Sequence, residues 1–188
     1  MLHRGSDVLK PGGERIVSLL HELVREGVVE KAGVSIYSPA ELDAVLQFFE
    51  PGIVQLPISL FDQRFLRSGH LARLKARGVE IHARSLFLQG LLLADPGEWP
   101  RYFAPLAQHA AIYRRWLDTH SLDALQACLG FGLAQKELDC LIIGVAGVGE
   151  FVSLLQAACC VPPVMPDSSA LSLDDETFVN PSLWKLGP

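Results

Sequence analysis

Cysteine is scarce. The 188 residues hold four, Cys128, Cys140, Cys159 and Cys160, with no CxxC pair and no histidine at a zinc-finger spacing from them. That pattern excludes a disulfide scaffold and a structural zinc site, and the thiols are expected to be reduced, mostly buried and to pack as small hydrophobes. Basic runs are also absent. Lys and Arg number 16 against 21 Asp and Glu, interleaved, for a formal net charge of −5. Nucleic acid, which is held by clustered cations on phosphate, is therefore not an expected partner. The longest apolar runs, such as 91–94 and 161–165, fall far short of the ~20 residues of a membrane helix. The first seven residues hold no apolar core of a signal peptide. The expectation is a cytoplasmic protein without a membrane partner. No strand is followed by GxGxxG or GxxxxGK[ST], so dinucleotide-fold and P-loop readings lose their main support. No His, Asp and Glu cluster has metal-ligand spacing, and no metal is expected.

What is present is apolar patterning. Hydrophobic residues make up 49% and charged residues 20%, enough for a sizeable core in one domain. Residues 14–26 predict a helix, because Ile16, Leu19, Leu20, Leu23 and Val24 recur on one face. Residues 32–36 predict a short buried strand. Ser38-Pro39-Ala40-Glu41 combines an N-cap serine, a proline at the first helical position and a glutamate three residues after the cap, which is a capping box opening a helix to about residue 48. A strand over 53–56 is stopped by Pro57. A helix over 65–77 and a strand over 79–83 follow. Beyond a loop at 86–93 come a helix over 99–119, another capped by Ser121, a strand over 139–144 and a last helix over 148–158. Strands alternating with helices predict βαβ units and a parallel sheet. The body is read as 1–160. Residues 161–188, with Pro162, Pro163, Pro166 and Pro181, are read as an extended tail.

Several of these motifs together resemble the aldo-keto reductase family. Lys31-Ala32-Gly33-Val34-Ser35 with the Ser-Pro-Ala-Glu helix start is similar to the family's fifth strand, and Ile53-Val54-Gln55-Leu56-Pro57 to its sixth. Gly78 to Ser85 followed by Leu88-Gln89-Gly90-Leu91-Leu92 is similar to the seventh strand and its loop. Leu141-Ile142-Ile143-Gly144-Val145 is similar to the eighth, and Leu2-His3-Arg4 to the end of the fourth. The implied fold is α/β: a partial (β/α)8 TIM barrel, roughly strands 4 or 5 to 8 with their helices. The implied activity is reduction of a small-molecule carbonyl with NADP or NAD as cofactor.

Intact members use an Asp, Tyr, Lys and His tetrad. Only the His can be carried over, onto His3. Tyr37, Tyr102 and Tyr113 do not stand at the family's position, so the group that protonates the carbonyl has no counterpart here. The expectation is a truncated chain, inactive alone. The alternative is a non-catalytic module that binds nucleotide or serves in assembly. Half a barrel also leaves two sheet edges unpaired and one inner face uncovered. Exposed edges and apolar patches invite association, with another copy or with a complementary N-terminal half.

The resemblance assigns the remaining site residues. His3 is the candidate catalytic residue, a substrate-orienting donor; the competing reading is a frayed terminal side chain. Ser35 and Gln55 match the positions that hold the nicotinamide carboxamide, and a hydroxyl beside an amide suits that ligand. The family's usual Asn after that serine is Ile36 here. Arg84 replaces the aromatic residue that stacks on the nicotinamide ring, and a guanidinium plane also stacks. Ser85 stands where the pyrophosphate is touched, and Gly144 closes the last strand motif. The stretch from Val145 to Phe151 lacks the basic residue that grips a 2′-phosphate, which argues against NADP preference. His82 reads as a core or inter-strand hydrogen bonder.

Overall fold

The computed structural model describes residues 1–186. The chain divides into two compact units, and both are discontinuous in sequence. The first comprises Met1–Pro57, Arg64–Arg84 and Glu137–Leu141; the second comprises Ile58–Gln63, Ser85–Lys136 and Ile142–Pro188.

The first unit carries the sheet. Strands β1 (Gly33–Ser35), β2 (Ile53–Pro57), β3 (Glu80–Arg84) and β4 (Cys140–Leu141) lie in chain order, and every pairing is parallel. Leu2 adds an isolated parallel bridge to Val34 on the outer side of β1. Its amide donates to the Gly33 carbonyl and its carbonyl accepts from Ser35, both at 2.8 Å. Each crossover between sequential parallel strands must be long enough to hold a helix. Helices α1 (Gly13–Arg25), α2 (Pro39–Val45), α3 (Arg64–Arg67) and α4 (His70–Ala76) belong to this unit.

Alternation along the strands sorts the side chains into two faces. Val34, Val54, Leu56, Ile81 and Ala83 are fully buried, as are Leu42, Val45 and Leu74 from the helices. Burying such a leucine or valine contributes roughly 1.5–3 kcal/mol. The other face carries Gln55, Glu80, His82 and Arg84, all half-buried. The expected uncovered apolar inner face is therefore polar. Exposed apolar side chains of this unit include Leu19 and Val24 on α1, Val28 just after it, and Phe48 after α2.

The capping box at Ser38 forms with one change. Ser38 Oγ accepts from the Glu41 amide at 3.2 Å. The Glu41 carboxylate does not return to the cap residue; it accepts from the amides of Tyr37 (2.7 Å) and Ser6 (3.2 Å). The helix predicted over 65–77 is split by Gly69, whose φ of 74° ends one turn before α4 begins.

The second unit holds α5 (Ala107–His120), α6 (Ala124–Leu133), α7 (Val148–Cys159) and the one-turn helix α8 (Glu176–Val179). Pro105 turns the start of the predicted 99–119 helix into a 3-10 stretch, Arg101–Leu106, because proline cannot donate to the α ladder. Ser121 does not cap a helix. It closes α5 at φ 52°, and Asp123 caps α6 by accepting from the Gln126 amide at 2.8 Å. The strand predicted over 139–144 is only two residues long. The core of this unit includes Phe61, Phe103 and Tyr113. Residues 161–186 carry short turns that seat Leu171 and Val179 fully buried. Of the four cysteines, only Cys128 is buried, and burial pushes its thiol up to about 12; Cys140, Cys159 and Cys160 are exposed, contrary to the expectation of mostly buried thiols.

Candidate functional site

The register of the sheet builds the first part of the site. Ser35 on β1 pairs with Gln55 on β2, Gln55 with His82 on β3, and His82 with Cys140 on β4. Register partners in a parallel pair share a face, so these four positions form one row across the sheet. Ser35 is buried, and its Oγ donates to Gln55 Oε1 at 3.4 Å. One hydroxyl and one amide are thus held side by side by backbone pairing.

Arg84 stands two residues further along β3, in register with Pro57. Its guanidinium donates to the Ile36 carbonyl at 3.0 Å and lies 4.2 Å over the Tyr37 ring. A cation held over an aromatic face is stabilised by the ring quadrupole. Tyr37 was not singled out in the sequence. It lies two residues beyond Ser35, past the end of β1. Arg64 fixes Tyr37 from the backbone side by donating to its carbonyl at 3.1 Å.

Below that row lies a charged stripe. Glu80 accepts from Lys31 Nζ at 2.5 Å and pairs with His82 Nε2 at 2.7 Å. The Lys31 ammonium, followed by His82, holds the Glu80 carboxyl below the usual carboxylate range. His82 therefore bonds along its own strand, not between strands. His3 is exposed and follows Leu2, whose bridge ties this end of the chain to β1.

Ser85 and Gly144 belong to the second unit, and there they line one cavity of about 550 Å³. Its polar lining comes from Ser85, Gln89, Glu150 and Ser153, and its walls include Leu86, Leu125 and Ile143. One wall is a tight turn with Ser85 (φ 64°), Leu88 (47°), Gln89 (56°) and Gly90 (85°) in the left-handed region. Three of these are not glycine, a conformation that persists only where the surroundings impose it. Across the cavity, the loop before α7 is closed by Glu150, whose carboxylate accepts from the Ala146 amide at 2.7 Å. Among the described residues, no Lys or Arg lines this cavity. Gln89, Glu150 and Ser153 escaped the sequence reading because they come together only through this turn and the first turns of α7.

The other two tyrosines of the second unit are committed elsewhere. Tyr113 is buried and donates to the Leu92 carbonyl at 2.9 Å; burial raises its pKa, so it holds its proton. Tyr102 donates to the Thr177 carbonyl at 2.7 Å. Among the described residues, no group of three or more His, Cys, Asp or Glu side chains is placed to hold a metal ion, and no helix is long and apolar enough to cross a membrane.

A sheet of parallel strands joined by helices, with polar residues along one face, defines part of a (β/α)8 barrel. The chain belongs to the aldo/keto reductase family, whose family model matches residues 6–160. It is similar to an aldo-keto reductase from Bacillus halodurans in its holo form, with 17% identity over 90% of this chain and 57% of that one, at a TM-score of 0.68. The apo form of that enzyme matches at 19% identity, covering 82% of this chain and 53% of that one, with a TM-score of 0.65. A thermostable aldo-keto reductase, Tm1743, in complex with the inhibitor epalrestat, matches at 18% identity and a TM-score of 0.57, covering 84% and 52%. At these identities the likeness is one of fold. This chain spans little more than half the length of the solved chains it matches. No curated protein matches the sequence.

Proposed function

We propose that this chain supplies nicotinamide-holding strands of an aldo-keto reductase barrel and does not reduce carbonyls by itself. The observation that carries this reading is the Ser35–Gln55 pair. A carboxamide needs one donor and one acceptor, and strand register sets a hydroxyl and a side-chain amide beside each other at 3.4 Å. NADH or NADPH would supply the hydride. Ser35 and Gln55 would orient its amide, and Arg84, held over Tyr37, would offer a flat cationic surface at the same strand ends. In the second unit, Ser85 with the open backbone at Gly144 is sterically suited to a phosphate. The Glu150 carboxylate there disfavours additional negative charge. The stretch from Val145 to Phe151 carries no basic residue for a 2′-phosphate, so the fit is to NADH more than to NADPH.

Inactivity alone rests on the proton donor. Tyr113 and Tyr102 spend their hydroxyls on backbone carbonyls, and His3 by itself orients a carbonyl without providing the protonating pair. Titration of the chain with NADH, followed by the fluorescence of the reduced nicotinamide, is expected to saturate. Gln55→Ala should weaken binding about tenfold, the effect of one buried amide contact of roughly 1.4 kcal/mol. Equal affinity in wild type and Gln55→Ala would remove the basis of the reading. A cytoplasmic setting and a small carbonyl substrate are parts of the same proposal.

A second observation favours association. Val148 (80% exposed), Phe151 (51%), Val152 and Leu155 recur at i, i+3, i+4 and i+7 along α7, a continuous apolar stripe open to solvent. For the chain alone, the occupant of this stripe is a second copy. Sedimentation velocity should show a dimer or larger species, and Phe151→Lys with Leu155→Lys should shift it to monomer with helicity unchanged. A wild-type monomer at tens of micromolar would contradict this.

A further inference from the structure

The second unit contains another cavity that the cofactor reading does not use. It measures about 590 Å³ and is lined by Trp99, Phe103, Trp184, Pro100, Pro181 and Glu98, among others. Phe103 forms the floor, 2% exposed. Trp184 packs edge-on against it, with ring centroids 4.8 Å apart and planes at 83°, and Trp99 does the same at 6.3 Å and 73°. Both indoles are tethered by their own N–H groups. Trp184 Nε1 donates to the Phe178 carbonyl at 3.1 Å, and Trp99 Nε1 donates to the Ala94 carbonyl at 3.4 Å. The rings are thereby fixed in orientation before any ligand arrives, which reduces the ordering cost of binding. Among the described residues, Glu98 is the sole ionisable side chain in the lining, and no Lys, Arg or His lines the cavity.

Two fixed indole walls, a phenyl floor and one carboxylate are the complement of a cation with an apolar body. Aromatic faces attract alkylated ammonium groups through their quadrupoles, and a carboxylate adds charge without competing for the apolar contacts. An anion meets only Glu98 here and is repelled. We propose that this cavity binds an organic cation of the quaternary ammonium class, with its ammonium head between Trp99 and Trp184 and near Glu98, and its alkyl part over Phe103.

The protein contains three tryptophans, and the third provides an internal control. Trp116 lies on α5, does not line the cavity, and donates its indole N–H to the Asp167 carbonyl at 2.7 Å. The 15N–1H indole signals of the full chain should be followed during titration with hexyltrimethylammonium chloride. The signals of Trp99 and Trp184 are expected to shift saturably while that of Trp116 stays in place. Hexanol and sodium hexanoate at the same concentrations should bind at least roughly tenfold more weakly, since they lack the cation–π term. Glu98→Gln, an exposed substitution that leaves the fold intact, should weaken the cation about fivefold, the scale of one exposed ion pair. No saturable shift, equal affinity for hexanol, or movement of all three indole signals together would overturn the proposal.

Discussion

Replacing Gly33 with alanine is expected to cost about 3 kcal/mol or more, a large share of a typical domain's 5–15 kcal/mol. The reason is space, not backbone conformation. A Cβ at Gly33 would meet the Ile53 carbonyl oxygen at 2.2 Å and Ile53 Cβ at 2.9 Å, and neither is the yielding end of a flexible side chain. The only relief is to separate β1 from β2, which is the pairing that sets Ser35 beside Gln55. Loss of stability and loss of nicotinamide binding should therefore appear together in Gly33→Ala. Urea unfolding checks the first, and NADH titration below the midpoint checks the second. Gly149 provides a control of opposite sign. A Cβ there has nothing within 4 Å, and the residue lies in the first turn of α7, so Gly149→Ala should stabilise by up to about 1 kcal/mol. A Gly33→Ala protein as stable as wild type would mean that β1 and β2 do not pair in this register.

Substituting Glu150 is expected to tighten the binding of both NADH and NADPH, which share the pyrophosphate. Its carboxylate lines the cavity with Ser85 and Gly144, and no cation lines it. Glu150→Lys changes the local charge by two units where phosphate oxygens would lie. Near a protein surface, a partly screened pair is worth on the order of 1–2 kcal/mol, so the affinity for either cofactor should rise about tenfold. The gain should shrink as ionic strength rises, because the position is exposed. Glu150→Gln separates charge from structure. Its amide oxygen still accepts from the Ala146 amide, now held by the carboxylate at 2.7 Å, so a smaller gain of the same sign is expected with the loop unchanged. If both variants bind NADPH as weakly as wild type, the phosphate does not sit in this cavity.

The order of elements was legible because it rests on hydrophobic period and strong punctuation. The alternation of buried Val34, Val54, Leu56 and Ile81 with polar neighbours marks the strands, and Ser38-Pro39 marks the start of α2 in both sequence and structure. Boundaries were less legible where two residues compete for one role. Ser121 and Asp123 both suit an N-cap, and the turn needed to close α5 takes Ser121 into the left-handed region, leaving Asp123 to cap α6. Pro105 and Gly69 act as local breaks inside apolar patterns whose period continues through them. The Ser35–Gln55 neighbourhood followed from family resemblance and matches the observed register. The stack of Arg84 on Tyr37 did not follow, because it joins strands 47 residues apart through a rotamer that no local pattern encodes. The polar inner face was also missed. His82 read singly as a core or inter-strand hydrogen bonder, and only the pairing of Glu80 with both Lys31 and His82 explains how that much charge lies on a sheet face.

The most direct measurement is a crystal structure of the chain with NADH bound. The carboxamide is expected within hydrogen-bonding distance of both Ser35 Oγ and the Gln55 side-chain amide, with the ring toward Arg84. Nicotinamide density elsewhere on the molecule, or a Ser35–Gln55 pair that stays closed at saturating NADH, would contradict a nicotinamide-holding role for these strands.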